Sequence, residues 1–218
     1  MNVVLRRGSG VARLCLLPIL CAAALAQGGD DVEKLAPGRF LVASRDLGDP
    51  NFAQAVILLV QYSDEHGAMG LIVNRRTDVP LSRVFQDLKE AKDRTDPIYI
   101  GGPVELNSVM ALLKAASKPE DAKRVFADVY VISSKELLQK TLASPAGANA
   151  FHAYLGYAGW EPGQLEHEVE LGAWHIMPAD AAEVFHSDPE SVWPRLVRRT
   201  ETQIAGAKGL TLALRVRP

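Results

Sequence analysis

The chain has 218 residues, of which 24 are basic and 26 acidic, a formal charge of −2, and 48% are hydrophobic. That suffices for one sizeable core, and it excludes bulk nucleic-acid binding, which needs a basic face to neutralise phosphates. The two cysteines, Cys15 and Cys21, both lie near the N-terminus.

Residues 1–26 read as a secretory signal peptide. Arg6, Arg7 and Arg13 form a basic leader free of acidic residues, an apolar run follows, and Ala24-Leu25-Ala26 supplies a small-x-small cleavage pattern. The apolar run is too short for a membrane span, and Pro18 interrupts it. Leu20 stands before Cys21 where a lipid-attachment signal has a small residue, which speaks against lipidation. Cleavage after Ala26 would remove both cysteines and three arginines, leaving 21 basic against 26 acidic residues. A disulfide framework, a thiol nucleophile, a redox pair and a thiolate metal site are then all excluded. Residues 27–34 are polar and acidic and are expected to be a disordered tail. Residues 35–218 are expected to form a single domain.

Residues 40–43 read as a first strand after Pro37-Gly38, and Asp46-Leu47-Gly48-Asp49-Pro50 as a turn. Residues 55–61 and 69–73 are apolar runs that read as a hairpin of strands buried on both faces. Leu81, Val84, Phe85 and Leu88 have the spacing of an amphipathic helix. Residues 97–100 form a strand stopped by Gly101-Gly102-Pro103, and residues 109–113 and 125–132 read as two more. Ser133 or Ser134 caps a helix through Leu142, with Leu137, Leu138 and Leu142 inward. A strand over 150–155 leads into a turn at Gly156. A short helix over 162–171, a strand over 173–177 and helices over 178–185 and 189–199 complete the chain. Strands and helices do not alternate regularly, which favours α+β. No glycine-rich phosphate loop and no HExxH pattern is present, so no cofactor and no metal is expected.

Four ordered blocks carry a resemblance. They are Pro37-Gly38-Arg39-Phe40-Leu41-Val42-Ala43-Ser44 with Asp49-Pro50-Asn51-Phe52; Gly67-Ala68-Met69-Gly70-Leu71-Ile72-Val73-Asn74-Arg75; Gly101-Gly102-Pro103-Val104; and Gly156-Tyr157-Ala158-Gly159-Trp160 with Gly163-Gln164-Leu165-Glu166 and Glu168. Together they resemble the YqgE/AlgH family of uncharacterised, UPF0301-type bacterial proteins. The resemblance implies a single α+β domain of bent, partly coiled mixed or antiparallel sheets with several surrounding helices, and it carries over no catalytic residue. The family pattern has Pro at the positions of Arg45 and Arg76, Ser at Ala55 and Gly at Glu161. Its members are generally cytoplasmic, which the leader contradicts.

The segment 156–166 is the foremost site candidate. Its glycines bring backbone N–H groups close to a ligand while Tyr157 and Trp160 form a wall, and Gln164 and Glu168 share one helix face. The competing reading is a strand-to-helix corner with its aromatics in the core. Gly101 and Gly102 supply either a second wall or a bend. Asp49 and Asn51 present polar groups or simply close a turn, and Asn74 faces a pocket or caps the backbone. Glu166 completes the set. The reading that follows is a non-catalytic module for an unknown small ligand or protein partner, exported and without a membrane span. The alternative is a hydrolase using Asp49, Glu166 and His152. A transcriptional regulator is a weaker alternative, because the chain is acidic and no helix-turn-helix signature is present. The spatial expectation is that the corner at Trp160 and the bend at Gly102 meet and enclose a recess.

Overall fold

The computed structural model describes residues 31–143 and 150–215, with side chains through residue 206 of the last helix. Ten strands form one curled sheet in the order β10-β1-β2-β3-β9-β6-β8-β7, with β5 also beside β9 and β4 beside β5. They are β1 (Arg39–Ala43), β2 (Val56–Ser63), β3 (Gly67–Ile72), β4 (Arg76–Pro80), β5 (Pro97–Ile100), β6 (Val104–Lys114), β7 (Lys123–Phe126), β8 (Val129–Ile132), β9 (Phe151–Trp160) and β10 (Trp174–Pro178). Among the described residues every pairing is antiparallel except β5 with β9. The helices are α1 (Leu81–Val84), α2 (Lys135–Leu142), α3 (Gln164–Glu170), α4 (Ala181–Val184) and α5 (Val192–Arg215). This is a single α+β domain with helices around a curled sheet.

The period-two geometry of strands explains why the apolar runs are nearly continuous. On β6, Leu112 joins one core while Ala111 and Leu113 join a second, and on β8 Val129 and Tyr130 divide in the same way. On β9, Phe151 and Ala153 point to the smaller core and Tyr154 to the larger. The larger core is covered by α3, α4 and the first turns of α5, through Leu165, Val169, Val184, Val192, Trp193, Leu196 and Val197. The smaller is covered by α1 and α2, through Leu81, Leu137, Leu138 and Leu142. Ser134 is the N-cap of α2, its hydroxyl accepting from Leu137 N at 3.2 Å.

Several expected elements differ. The run 125–132 is not one strand: Ala127, at φ 39°, turns it into the β7–β8 hairpin. The helix expected over Leu81 to Leu88 stops at Val84. Leu81 and Leu88 are both buried, but a 3-10 turn at Lys89–Ala91 and local backbone bonds replace the second helical turn. β4 has no apolar pattern; its residues are mostly exposed and it pairs with β5 only at its ends. The helix expected over 178–185 is the single turn α4, while α5 runs well past residue 199. Of the expected tail, only residues 31–34 are described; residues 31–32 are helical and 33–34 form a turn, and Val32 packs against the core. The signal peptide lies outside the described residues.

The main difference concerns Gly156, where a turn was expected. β9 continues straight through it to Trp160. Residues 153–155 pair with β5, and residues 158–160 pair with β3. Gly156, at φ 68°, is therefore where β9 exchanges one neighbour for another and joins the two halves of the sheet.

Candidate functional site

The bend after β5 and the glycines of β9 do meet, but through their backbones. Gly101 N donates to Leu155 O at 2.8 Å, and Ile72 N donates to Gly101 O at 2.8 Å. A Cβ on Gly156 would stand 2.6 Å from Gly102 O and 2.7 Å from Val104 O. One on Gly102 would fall onto the backbone of Tyr157 and Ala158. Glycine is needed here so that strands can touch, and these contacts take the place of the recess expected between the two glycine segments.

The residues that follow form a hydrogen-bond hub. Glu168 Oε2 accepts from Trp160 Nε1 at 2.9 Å and from Trp174 Nε1 at 2.8 Å, while Glu168 Oε1 accepts from Gln164 Nε2 at 3.0 Å. Gln164 Oε1 in turn accepts from Glu161 N at 3.1 Å, closing the start of α3. Gln164 and Glu168 share a helix face as their spacing requires, and that face joins α3 to β9 and β10. Both indoles are buried and meet edge to face, with centroids 6.1 Å apart. Phe52, from the β1–β2 loop, stacks on Trp160 at 6.0 Å and meets Trp174 edge-on at 5.7 Å. Trp160 is thus a core residue fixed at its N–H and covered on its face.

The other candidates also have local roles. Asp49 Oδ1 accepts from Asn51 N at 2.8 Å, an Asx turn. Asn74 clamps the start of β2: its Oδ1 accepts from Val56 N at 2.8 Å and its Nδ2 donates to Gln54 O at 2.9 Å. This decides for backbone capping. Glu166 Oε1 accepts from the Tyr62 hydroxyl at 2.6 Å. Burial, together with the Glu166 and Asp64 carboxylates, pushes the Tyr62 hydroxyl upward from its ordinary range. His152 lies buried on β9, its ring stacked on that of Tyr99 at 4.4 Å and tilted against that of Phe185 at 5.1 Å. His175 is on β10, with β1, β2 and β3 between it and β9, so the two strand histidines are not brought together. Asp49, Glu166 and His152 are each engaged in separate places and do not assemble into one constellation.

One surface feature was missed in the sequence. Between the pairs Val104↔Tyr157 and Val109↔Leu155, residues 105–108 of β6 stand opposite Gly156 alone. This is an enlarged bulge, and Glu105 within it adopts φ 50°. Leu106 projects from the bulge and is 52% exposed. Its Cδ2 lies 3.2 Å from where a Gly156 Cβ would stand. The Tyr157 ring lies 3.2 Å from the equivalent position at Gly159, and Val104 Cγ2 3.8 Å from it. Leu106 thus lies against Gly156, and Val104 and Tyr157 against Gly159 three residues further along β9. The available signal was Leu106 itself, an apolar residue between Glu105 and Asn107 just after a Gly-Gly-Pro bend.

The profile of the AlgH-like family matches residues 40–205, from β1 into α5. The chain belongs to the AlgH-like family. Among similar proteins are UPF0301 proteins of Streptomyces avermitilis, 34% identical over 77% of this chain and 88% of that one, and of an Anaeromyxobacter species, 35% identical over 79% and 91%. The solution structure of the AlgH protein from Pseudomonas aeruginosa superposes with a TM-score of 0.59 at 30% identity, covering 84% of this chain and 94% of that one. A crystal structure of a Corynebacterium diphtheriae protein gives 0.62 at 26%, covering 76% and 87%. Within this AlgH-like chain, the departures from the family pattern are accommodated locally. Arg45 makes two hydrogen bonds to Glu201 of α5, at 2.7 and 3.2 Å, and lies over Trp193. Ala55 is wholly buried, so no solvent-facing nucleophile could stand there.

Proposed function

We propose that this AlgH-like chain is an exported, non-catalytic module whose ridge of Val104, Leu106 and Tyr157 docks a protein partner. The observation that carries this reading is Leu106, 52% exposed on a bulge that the fold holds over Gly156. A large aliphatic side chain beside a half-buried tyrosine suits an interface anchor, since aromatic residues concentrate the energy of such contacts. The carboxylates beside the ridge's neighbour Trp160 are committed to structure, Glu168 to two indoles and Glu166 to Tyr62. The three ridge side chains offer apolar contact, with Glu105 as the single carboxylate acting on Tyr157, and that balance favours binding over hydrolysis.

Leu106→Asp and Tyr157→Ala test the ridge. Partner retained by the immobilised parent protein should fall at least about tenfold with each variant, the loss of one interface hot spot. The melting temperature of Leu106→Asp should stay within about 2 °C of the parent, because the side chain is exposed. Undiminished retention by both variants removes the ridge as the docking face. Export rests on the basic leader, the apolar run and Ala24-Leu25-Ala26. Intact mass of protein purified from its own host should place the mature N-terminus at Gln27. An intact leader on protein from the cytosolic fraction would contradict export.

A further inference from the structure

A second surface feature lies apart from the ridge, between α2 and the end of β6. Leu113, Lys114, Ala115, Pro119, Leu137, Lys140 and Thr141 line a groove of about 340 Å³ there. That volume is at the small end of the range for ligand sites. Its floor is apolar, built from Leu113 and Leu137 of the smaller core with Ala115 packed against it. Its polar rim is cationic. Lys114 faces Asp128 at 3.8 Å and Lys140 faces Glu120 at 3.6 Å. All four groups are substantially exposed, Lys140 and Glu120 at 70% and 82%. Ion pairs this long and this wet contribute little, so an incoming anion can replace either carboxylate. The Thr141 hydroxyl is already committed, donating to Leu137 O at 2.8 Å. The groove therefore offers positive charge and apolar surface, with no directional hydroxyl donor. The local composition agrees: residues 113–141 hold six basic residues against four acidic in a chain that is acidic overall.

We infer that this groove binds a small amphipathic carboxylate, its head between Lys114 and Lys140 and its chain against Leu113, Ala115 and Leu137. Charge complementarity selects the anion, and the apolar floor selects against small hydrophilic anions such as acetate. The site is independent of the ridge, so either assignment can fail alone.

Sodium octanoate, octan-1-ol and sodium acetate serve as probes, titrated into the full chain and followed by backbone amide shifts. Octanoate should give saturable shifts confined to residues 113–119 and 137–141, with octanol and acetate each at least about tenfold weaker. Lys114→Gln with Lys140→Gln should weaken octanoate about tenfold, and Glu120→Gln, at a largely exposed position, should strengthen it by removing the competing carboxylate. Equal response to octanol and octanoate, or an unchanged affinity in the double lysine variant, would reduce the groove to an apolar dimple and overturn the assignment. So would shifts centred on another part of the molecule.

Discussion

Glu168→Ala should destabilise the domain by about 3–5 kcal/mol, a large share of the 5–15 kcal/mol typical of a domain. The carboxylate accepts three hydrogen bonds, two of them from the N–H groups of Trp160 and Trp174. Those indoles are 5% and 2% exposed, so water cannot readily replace the lost acceptor. Each buried donor left without a partner costs about 1–3 kcal/mol. The loss should lower the melting temperature by roughly 10 °C or more for a domain of this size. Glu168→Gln should cost less, about 1–2 kcal/mol. Its amide oxygen can still accept from both indoles, but its NH₂ then opposes the Gln164 amide, whose own oxygen already accepts from Glu161 N. Denaturant titration of the two variants would check this ordering. If Glu168→Ala stays within about 1 kcal/mol of the parent, the hub does not hold α3 to β9 and β10 as described.

Gly156→Ala should be more damaging still, by more than about 4 kcal/mol, leaving little soluble protein. The methyl group would sit at 2.6 and 2.7 Å from two backbone oxygens, Gly102 O and Val104 O, neither of which can rotate away. Relief requires moving β9 from the end of β5, which would strain the bonds from Gly101 N to Leu155 O and from Ile72 N to Gly101 O. The left-handed backbone adds about 1–2 kcal/mol for any L side chain. Gly163 provides the control within the same molecule. It has φ 79° but nothing within 4 Å of its added Cβ. Gly163→Ala should therefore cost only the backbone term, about 1–2 kcal/mol. Comparable melting temperatures for the two variants would show that the close approach at Gly156 is not what requires glycine.

The difference between these two glycines shows where sequence reading ends. Both stand in one recognisable block, and both adopt a positive φ. Only the structure reveals that one is packed between strands and the other faces open space. The same holds for Trp160. Its place beside glycines suits the wall of a pocket as well as a core corner, and only Phe52 and Trp174, brought from two other segments, make it core. Phe52 lies more than a hundred residues from Trp160, and no local pattern links them. Gln164 and Glu168 were legible as a pair because helix geometry places residues four apart on one face. What that face grips was not, since Trp174 arrives from β10. Asn74 left pocket and cap equally open until the β2 backbone was in place to receive both ends of its amide.

From residue order alone came the α+β class, the strand pair β2–β3, a cap at Ser133 or Ser134 and the cysteine-poor acidic composition, while the resemblance of four blocks pointed to the family. The first three follow from short-range rules: periodicity, capping chemistry and turn residues act within a few positions of one another. The continuity of β9 through Gly156, the exchange of its neighbour there, the burial of the two indoles and the exposure of Leu106 were decided by tertiary structure. Each depends on which distant strand lies alongside, and pairing between segments far apart in the chain leaves no mark on either segment read by itself.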